Sequence, residues 1–332
     1  MTAEVLDGKA IAADLRRRVA GVVAARVAAG RRAPGLATVL VGDDPASHIY
    51  VGNKRKACEE AGIRSIHHEL PGDVSGVDLV ALVAGLDRDP EVDGILVQMP
   101  LPAHIDQDAV LAEISAGKDV DGLTAVNAGY LGQGRIGVRE ALDLEPDEPL
   151  VGLVPCTPAG VIEILDRSGV ELEGAVSVVI GRSILVGRPM ASLLVNASAT
   201  VTVCHSRTRD LEHHVRDAEI LVVAAGRPGL ITGSMLSPGV VVVDVGINVV
   251  GDTIVGDVDF ESARHVASAI TPVPRGVGPI TNALLLAHLT RAAYAQEQAQ
   301  PAATSSDARR PPAPDPSVTA AGGRAAPTRG HR

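Results

Sequence analysis

Tyr50 and Lys54 stand four residues apart in the string SHIYVGNK, which on a helix puts both side chains on one face. A lysine beside a phenol has two chemical uses. It lowers the cost of a tyrosinate, or the phenol positions an amine that has been desolvated towards neutrality. Either use is acid–base chemistry, although a lysine on a helix more often only solvates its face. Gln98 closes the apolar run VDGILVQ (92–98), at the carboxyl end of an expected strand, where open α/β sheets bind ligands. Asp121 lies in the tight polar turn KDVDG (118–122) and can accept two hydrogen bonds from an amidine-like ring edge. Taken singly, Gln98 and Asp121 each read more readily as a turn residue or a helix cap.

A second group of candidates surrounds a glycine-containing turn. The run VSVVI (176–180) leads into GRSILVGRPM (181–190). A strand that turns into a helix N-terminus gathers unpaired backbone N–H groups that suit a phosphate. Gly181 allows the sharp turn and Gly187 a close backbone approach to a ligand. The spacing is not G-x-G-x-x-G, so the glycines alone do not separate a nucleotide site from an ordinary doubly wound turn. The next strand, TVTVC (200–204), is followed by His205, Ser206, Arg207 and Thr208. Folds that bind NAD place an acid near there for the ribose hydroxyls. A hydroxyl and a guanidinium suit the 2′-phosphate of NADP instead, and Arg182 can close on it from the first turn. NADP is therefore the expected cofactor.

These residues need elements to hold them. Ile11, Leu15, Val19, Val22, Val23 and Val27 recur at helical spacing, and Gly30 stops the run. LATVLVG (36–42), IRSIHHEL (63–70) and VDGILVQ read as strands, with helices over 48–61 and 77–86 between them. This is βαβ alternation, and a parallel sheet is expected. Residues 130–154 break the rhythm and read as a loop. A helix behind PCTP (155–158) opens a second unit, in which strands 176–180, 200–204, 219–225, 240–246 and 267–271 alternate with helices. A last helix follows, and from Gln296 the Ala, Pro, Ser, Thr, Gly and Arg residues read as a disordered tail.

The chain has 332 residues, 46% hydrophobic, with one Phe, three Tyr and no Trp, so its core must be aliphatic. Net charge is -10, and the tail from Glu297 has five Arg against three acids, which leaves -12 on residues 1–296. Such a body repels nucleic acid. Cys58, Cys156 and Cys204 are scattered and show no metal-ligand spacing, so neither a metal nor a disulfide framework is expected. No leader pattern and no run long enough for a membrane span occurs, and a cytoplasmic protein is the expectation.

The Tyr-x-x-x-Lys spacing also marks short-chain dehydrogenases. There it follows the dinucleotide turn, whereas here it precedes that turn by more than a hundred residues, and that family is set aside. In order, DGKAIAADL, GDDPASHIYVGNKRKACEEAGI, DGILVQMPLP, GKDVDG, PCTPAGV, GRSILVGRP, TVCHSRT, AAGRPGLI, VDVGIN, GDVDF and TPVPRGVGPIT together resemble the bifunctional methylenetetrahydrofolate dehydrogenase/methenyltetrahydrofolate cyclohydrolase family over residues 4–295. The resemblance implies an α/β, two-domain fold. A folate-binding αβα domain (1–154) is completed by a C-terminal helix (279–295), and a Rossmann-like doubly wound NADP domain (155–278) lies between them, before the tail (296–332). It implies a homodimer formed through the nucleotide domains. It implies Lys54 as the catalytic lysine, Tyr50 stacked on the pterin, Gln98 as the lysine's partner and Asp121 holding the pterin ring. Gly181, Arg182, Ser183, Ser206, Arg207 and Ile247 fall in its NADP-binding segments, and Gly276, Gly278 and Pro279 in the loop beside folate and nicotinamide. A lysine buried against Tyr50 and Gln98 would have a lowered pKa and move protons in the hydrolytic step. The chain departs from the family pattern at Thr124, Val249 and Arg275, the last standing where a glycine is usual, and residues 133–150 look long. A non-catalytic folate- or nucleotide-binding paralogue and another two-domain oxidoreductase, such as a shikimate-dehydrogenase-like enzyme, are the rival readings.

Overall fold

The computed structural model describes residues 2–145, 149–251 and 253–299. From the N-terminus, β1 (Glu4–Val5) and α1 (Gly8–Ala28) lead into β2 (Gly35–Val41), α2 (Pro45–Glu60), β3 (Arg64–Leu70), α3 (Gly76–Arg88) and β4 (Gly94–Val97). The strands form a parallel sheet in the order β3-β2-β4. All seven residues of β2 are buried, as expected of a central parallel strand covered on both faces. Asp44 starts α2 by accepting the Ser47 N–H at 2.8 Å, with Pro45 in the first helical position, and this start fixes where Tyr50 and Lys54 fall on the helix.

The short helices α4 (Gln107–Leu111), α5 (Ala125–Gly132) and α6 (Val138–Leu142) follow. The stretch read from sequence as a loop thus contains the end of α5 and the whole of α6, while residues 146–148 lie outside the described residues. The reason is local capping. Thr124 accepts the Asn127 N–H at the start of α5, and such short helices need no apolar period.

The second unit runs α7 (Cys156–Arg167), β5 (Val176–Ile180), α8 (Gly187–Asn196), β6 (Thr200–Cys204), α9 (Leu211–Arg216), β7 (Ile220–Val223), β8 (Val241–Asp244), a hairpin of β9 (Asn248–Val250) and β10 (Thr253–Val255), α10 (Phe260–Ala263) and β11 (Ala269–Ile270). Its parallel sheet has the order β1-β11-β8-β7-β5-β6. Two features differ from the sequence reading. The chain's first strand joins this second sheet through Glu4 N–H to Ser268 O (2.8 Å) and Leu6 N–H to Ile270 O (2.9 Å). The β9–β10 hairpin was not expected.

The last helix, α11 (Val277–Ala299), starts two residues earlier than read and runs four residues into the stretch read as tail. Residues 300–332 lie outside the described residues. Helix α11 packs on α1 and α7 and buries Leu284, Leu285, Leu286 and Leu289 in the main core. Leu, Val, Ile and Ala fill that core, as the composition requires.

Candidate active site

Lys54 and Gln98 meet. Lys54 Nζ donates to Gln98 Oε1 at 3.1 Å. Gln98 is held by its backbone N–H on Val39 O (2.9 Å), one residue beyond β4, and by its Nε2 on Met99 O (2.7 Å). Because Nε2 must donate there, Oε1 is the amide end that faces the lysine. Tyr50 lies one turn before Lys54, 38% exposed, its phenol pushed up by burial and then by the charge of Asp44. One turn after Lys54, the fully buried Cys58 thiol is pushed up to about 12 by burial, with the lysine charge opposing, so it is inert at neutral pH.

Asp121 stands on a strongly braced loop. Ile95 N–H on Lys118 O (2.8 Å) ties the loop to β4, and Lys118 Nζ donates to Asp87 O (2.7 Å) and Asp89 O (2.9 Å). Burial lowers the Lys118 pKa, which the nearby acids Asp87, Asp93 and Asp89 oppose. The buried Asp119 carboxylate accepts from Leu123 N (3.0 Å), Thr124 N (2.7 Å) and Asn127 Nδ2 (2.9 Å). Burial raises its pKa against those bonds. Gly122 sits at φ +70°, and a Cβ there would fall on the Val154–Pro155 peptide at the start of α7.

Behind this loop the Cys156 thiol donates to Val120 O at 3.3 Å, and His288 Nδ1 lies 3.0 Å from the same oxygen. Burial pushes the thiol well up; the charge of Asp121 adds to this, and that of Lys54 opposes it. Lys54 and Asp121 thus both act on the Cys156 thiol, Gln98 is bonded to Lys54, and Tyr50 lies one turn from Lys54 on the same helix. Sequence reasoning missed His288, which carries no motif, and passed over Cys156 as part of PCTP.

The loop into α11 is equally constrained. Gly276 N–H bonds Pro272 O at 2.8 Å, a Cβ on Gly8 would overlap the Gly276 carbonyl, and Gly278 and Pro279 form the first turn of α11. Arg275 is exposed at φ +91°. No hydrogen bond among the described residues joins this loop to Lys54 or Asp121.

The nucleotide-side candidates share the carboxyl edge of the second sheet. Strands β5 and β6 are neighbours, with Gly181 N–H on Cys204 O at 2.9 Å, so Arg182 and Ser183 leave one strand beside Ser206 and Arg207 leaving the next. All four are exposed. Gly181 has φ +131° and abuts the Ala224 carbonyl. A Cβ on Gly187 would overlap the Gly181 carbonyl, so that glycine is required by the turn's own packing, where the sequence reading gave a ligand as the reason. Ile247, 47% exposed, follows β8 at the same edge.

Two aspartates that sequence reasoning missed brace this edge. Asp257 accepts the N–H groups of Ala225 (2.6 Å), Gly226 (2.8 Å) and Arg227 (2.8 Å). Asp244 accepts those of Gly246 (2.9 Å), Asp257 (3.0 Å) and Val258 (2.9 Å), and burial pushes it up to about 6. The loops after β7 and β8 are thereby fixed at the edge where doubly wound sheets bind ligands.

Comparison with known proteins places both parts of the chain in one family. Residues 6–121 match the model of the tetrahydrofolate dehydrogenase/cyclohydrolase catalytic domain, and residues 155–297 that of the NAD(P)-binding domain of the same family. A bifunctional protein FolD from Bordetella avium is 52% identical over 294 residues, covering 88% of this chain and 98% of the relative. The chain belongs to the tetrahydrofolate dehydrogenase/cyclohydrolase family.

Solved members of that family share the fold. The Campylobacter jejuni bifunctional FolD methylenetetrahydrofolate dehydrogenase/cyclohydrolase superposes with a TM-score of 0.82 at 44% identity, over 89% of this chain and 99% of that one. The Trypanosoma brucei dehydrogenase-cyclohydrolase, solved with NADP and an inhibitor, gives 0.81 at 39% identity over 90% and 100%. As a family member the chain has the two-domain α/β architecture expected from its sequence, and the other-oxidoreductase reading falls away. No helix among the described residues is long and apolar enough to cross a membrane. A shallow groove lined by Val170, Glu173, Glu219 and Val241 lies at the opposite, amino edge of the second sheet, away from all these candidates.

Proposed function

We infer that this chain carries out both reactions of its family, the NADP-dependent oxidation of 5,10-methylenetetrahydrofolate to 5,10-methenyltetrahydrofolate and the hydrolysis of that product to 10-formyltetrahydrofolate. The observation that carries the reading is the 3.1 Å bond from Lys54 to the Gln98 amide oxygen, whose orientation is fixed by the bond of the same amide to the Met99 carbonyl. NADP, when bound, supplies the hydride acceptor. The donor set at the sheet edge fits it: Arg182 and Arg207 flank the turn, and none of residues 205–208 after β6 is an acid that would repel a 2′-phosphate.

In the first reaction the chain's task is orientation. Tyr50 offers a ring face to the pterin, and Asp121 accepts from the pterin ring edge, which aims the bridging methylene at the nicotinamide side. The methenyl cation that forms is stabilised by its own N5 and N10 lone pairs, so no side-chain acid is needed there. In the second reaction water adds to that cation and the ring opens. Lys54 transfers the protons, and Gln98 holds its amine towards the substrate.

The domain limits follow from the same reading: residues 1–154 with 279–295 hold folate, apart from β1, which pairs into the second sheet, and 155–278 hold NADP. A homodimer through the nucleotide unit is supported by Val249, Val250 and Ile254, exposed on the β9–β10 hairpin, and by β6, the edge strand of its sheet. The three free, buried cysteines suit a reducing, cytoplasmic setting.

The test is turnover of 5,10-methylenetetrahydrofolate by purified protein with NADP and NAD in parallel, following reduced nicotinamide and methenyl product. NADP reduction without methenyl accumulation is the expected result. Accumulation means that hydrolysis is impaired, and no turnover with either nucleotide sinks the reading in favour of a binding-only paralogue.

A further inference from the structure

Behind the candidate site three buried groups have no task in either reaction: the Cys156 thiol, the His288 imidazole and the Val120 carbonyl that they share. His288 is fully buried on α11, and Cys156 opens α7. A carbonyl only accepts, so its 3.0 Å contact with His288 Nδ1 places a proton on that nitrogen; the thiol, 3.3 Å from the carbonyl, is its second donor, and the thiol sulfur lies 3.4 Å from Nδ1. Nε2 is buried and has no hydrogen-bond partner among the described residues. The imidazole is therefore the neutral Nδ1–H tautomer, and it acts through the direction of its N–H, not through charge.

We infer that His288 is a positioning residue for Asp121, holding the Val120–Asp121 peptide from behind so that the carboxylate meets the ring edge of the folate. The inference rests on the reading of Asp121 as the group that holds that ring. The peptide on the other side of Asp121 is already fixed, by Gly122 N–H on Asp119 O (3.0 Å) and by the contact of Gly122 with the Val154–Pro155 peptide. Asp121 thus hangs between two pinned peptides. A thiol is a weak donor, so without His288 the Val120 carbonyl keeps only that one weak bond. A helix from the far end of the chain thereby sets the geometry of a loop that binds substrate.

Three substitutions separate the donor from the bulk. His288→Asn keeps an N–H at the position of Nδ1, His288→Gln moves it one bond further out, and His288→Leu has none. The expected result is a KM for 5,10-methylenetetrahydrofolate raised about tenfold in the Gln and Leu variants, the worth of about one hydrogen bond. The KM for NADP should not move, kcat should change less than the folate KM, and the Asn variant should stay near the parent. Equal folate KM values for Asn and Gln overturn the inference, and that pair decides even if the Leu variant does not fold. Asp121→Ala in the same assay separates the two layers. An unchanged folate KM there sinks the reading of Asp121, and the inference with it. A raised KM there beside an indifferent Gln variant sinks the inference alone.

Discussion

A buried neutral histidine also makes the stability of the fold depend on pH. Burial takes His288 from 6.5 to about 4, opposed by the Val120 carbonyl and the charge of Asp121. In the unfolded chain it titrates near its ordinary value. The folded pKa is the depressed one, so this contribution is whole above about 6.5 and is lost as pH falls towards 4, because the unfolded chain takes the proton first. From the two values, the loss is about 2.5 kcal/mol at pH 4.5 and under about 0.1 kcal/mol at pH 7.5. His288→Asn cannot titrate. Whatever it costs at pH 7.5, moving to pH 4.5 should improve it relative to the parent by about 2.5 kcal/mol. Asp244 works in the opposite sense: raised to about 6, it favours the folded chain in acid and loses that effect as pH rises through 6. Both proteins keep Asp244, so it cancels in the difference. With no Trp in the chain, the assay is urea unfolding of both proteins at the two pH values, followed by far-ultraviolet circular dichroism. Equal acid losses in parent and variant refute the reasoning, since they mean that His288 takes its proton as easily folded as unfolded.

Other perturbations test other parts of the site. Lys54→Met should lower methenyl hydrolysis by about 10²–10⁴-fold while hydride transfer falls much less; parallel losses in both assays would remove the lysine from the hydrolytic step. Arg207→Ala should raise the KM for NADP about tenfold and leave NAD unaffected, as loss of one charge-assisted phosphate contact would; an equal change for both nucleotides would place the arginine elsewhere. Gly122→Ala forces φ +70° on a residue with a Cβ and drives it into the Val154–Pro155 peptide, and thermal unfolding should show a loss of about 2–4 kcal/mol. Arg275→Gly should act in the other direction. Relief at φ +91° is worth about 1–3 kcal/mol and the added unfolded-state entropy takes back about 0.4–1, so Tm should rise by a few degrees, about 2–4 °C per kcal/mol. A fall in Tm would mean that the guanidinium holds something the strain does not explain.

The parts legible in the sequence were those governed by local chemistry. Strands β5 and β6 lie where VSVVI and TVTVC put them, because a strand buried in a parallel sheet is an unbroken apolar run. Gln98 was readable as a strand-end residue for the same reason. What escaped was set by partners far along the chain. Two residues of β1 carry no pattern, and only pairing with β11 makes them a strand. Helix α11 outlasts its apolar period because Glu297 pairs with Arg26 (2.5 Å) and Arg31 (3.0 Å) and Gln296 donates to Asp93 O (2.8 Å), all contacts with the other end of the chain. His288, in a run of leucines and alanines, reads as core, and its partner Val120 is 168 residues away.

These long-range partners converge on one helix. Helix α11 leaves β11 of the second sheet, forms its first turn beside the Gly276 loop, sets His288 behind Asp121 about three turns on, and ends against Arg26 and Asp93 of the first unit. The Asp121 loop, the junction with the second sheet and the N-terminal helix thus share a single rod. Within a helix each residue's position is fixed by its neighbours' hydrogen bonds, so a shift at the first turn is carried along the axis to His288 without any change in its own contacts. A substitution in the buried face of α11 should therefore disturb folate binding even where it touches neither Lys54 nor Asp121, whereas the same loss of volume in α3, which packs on β4 and α4 on the far side, should cost stability alone.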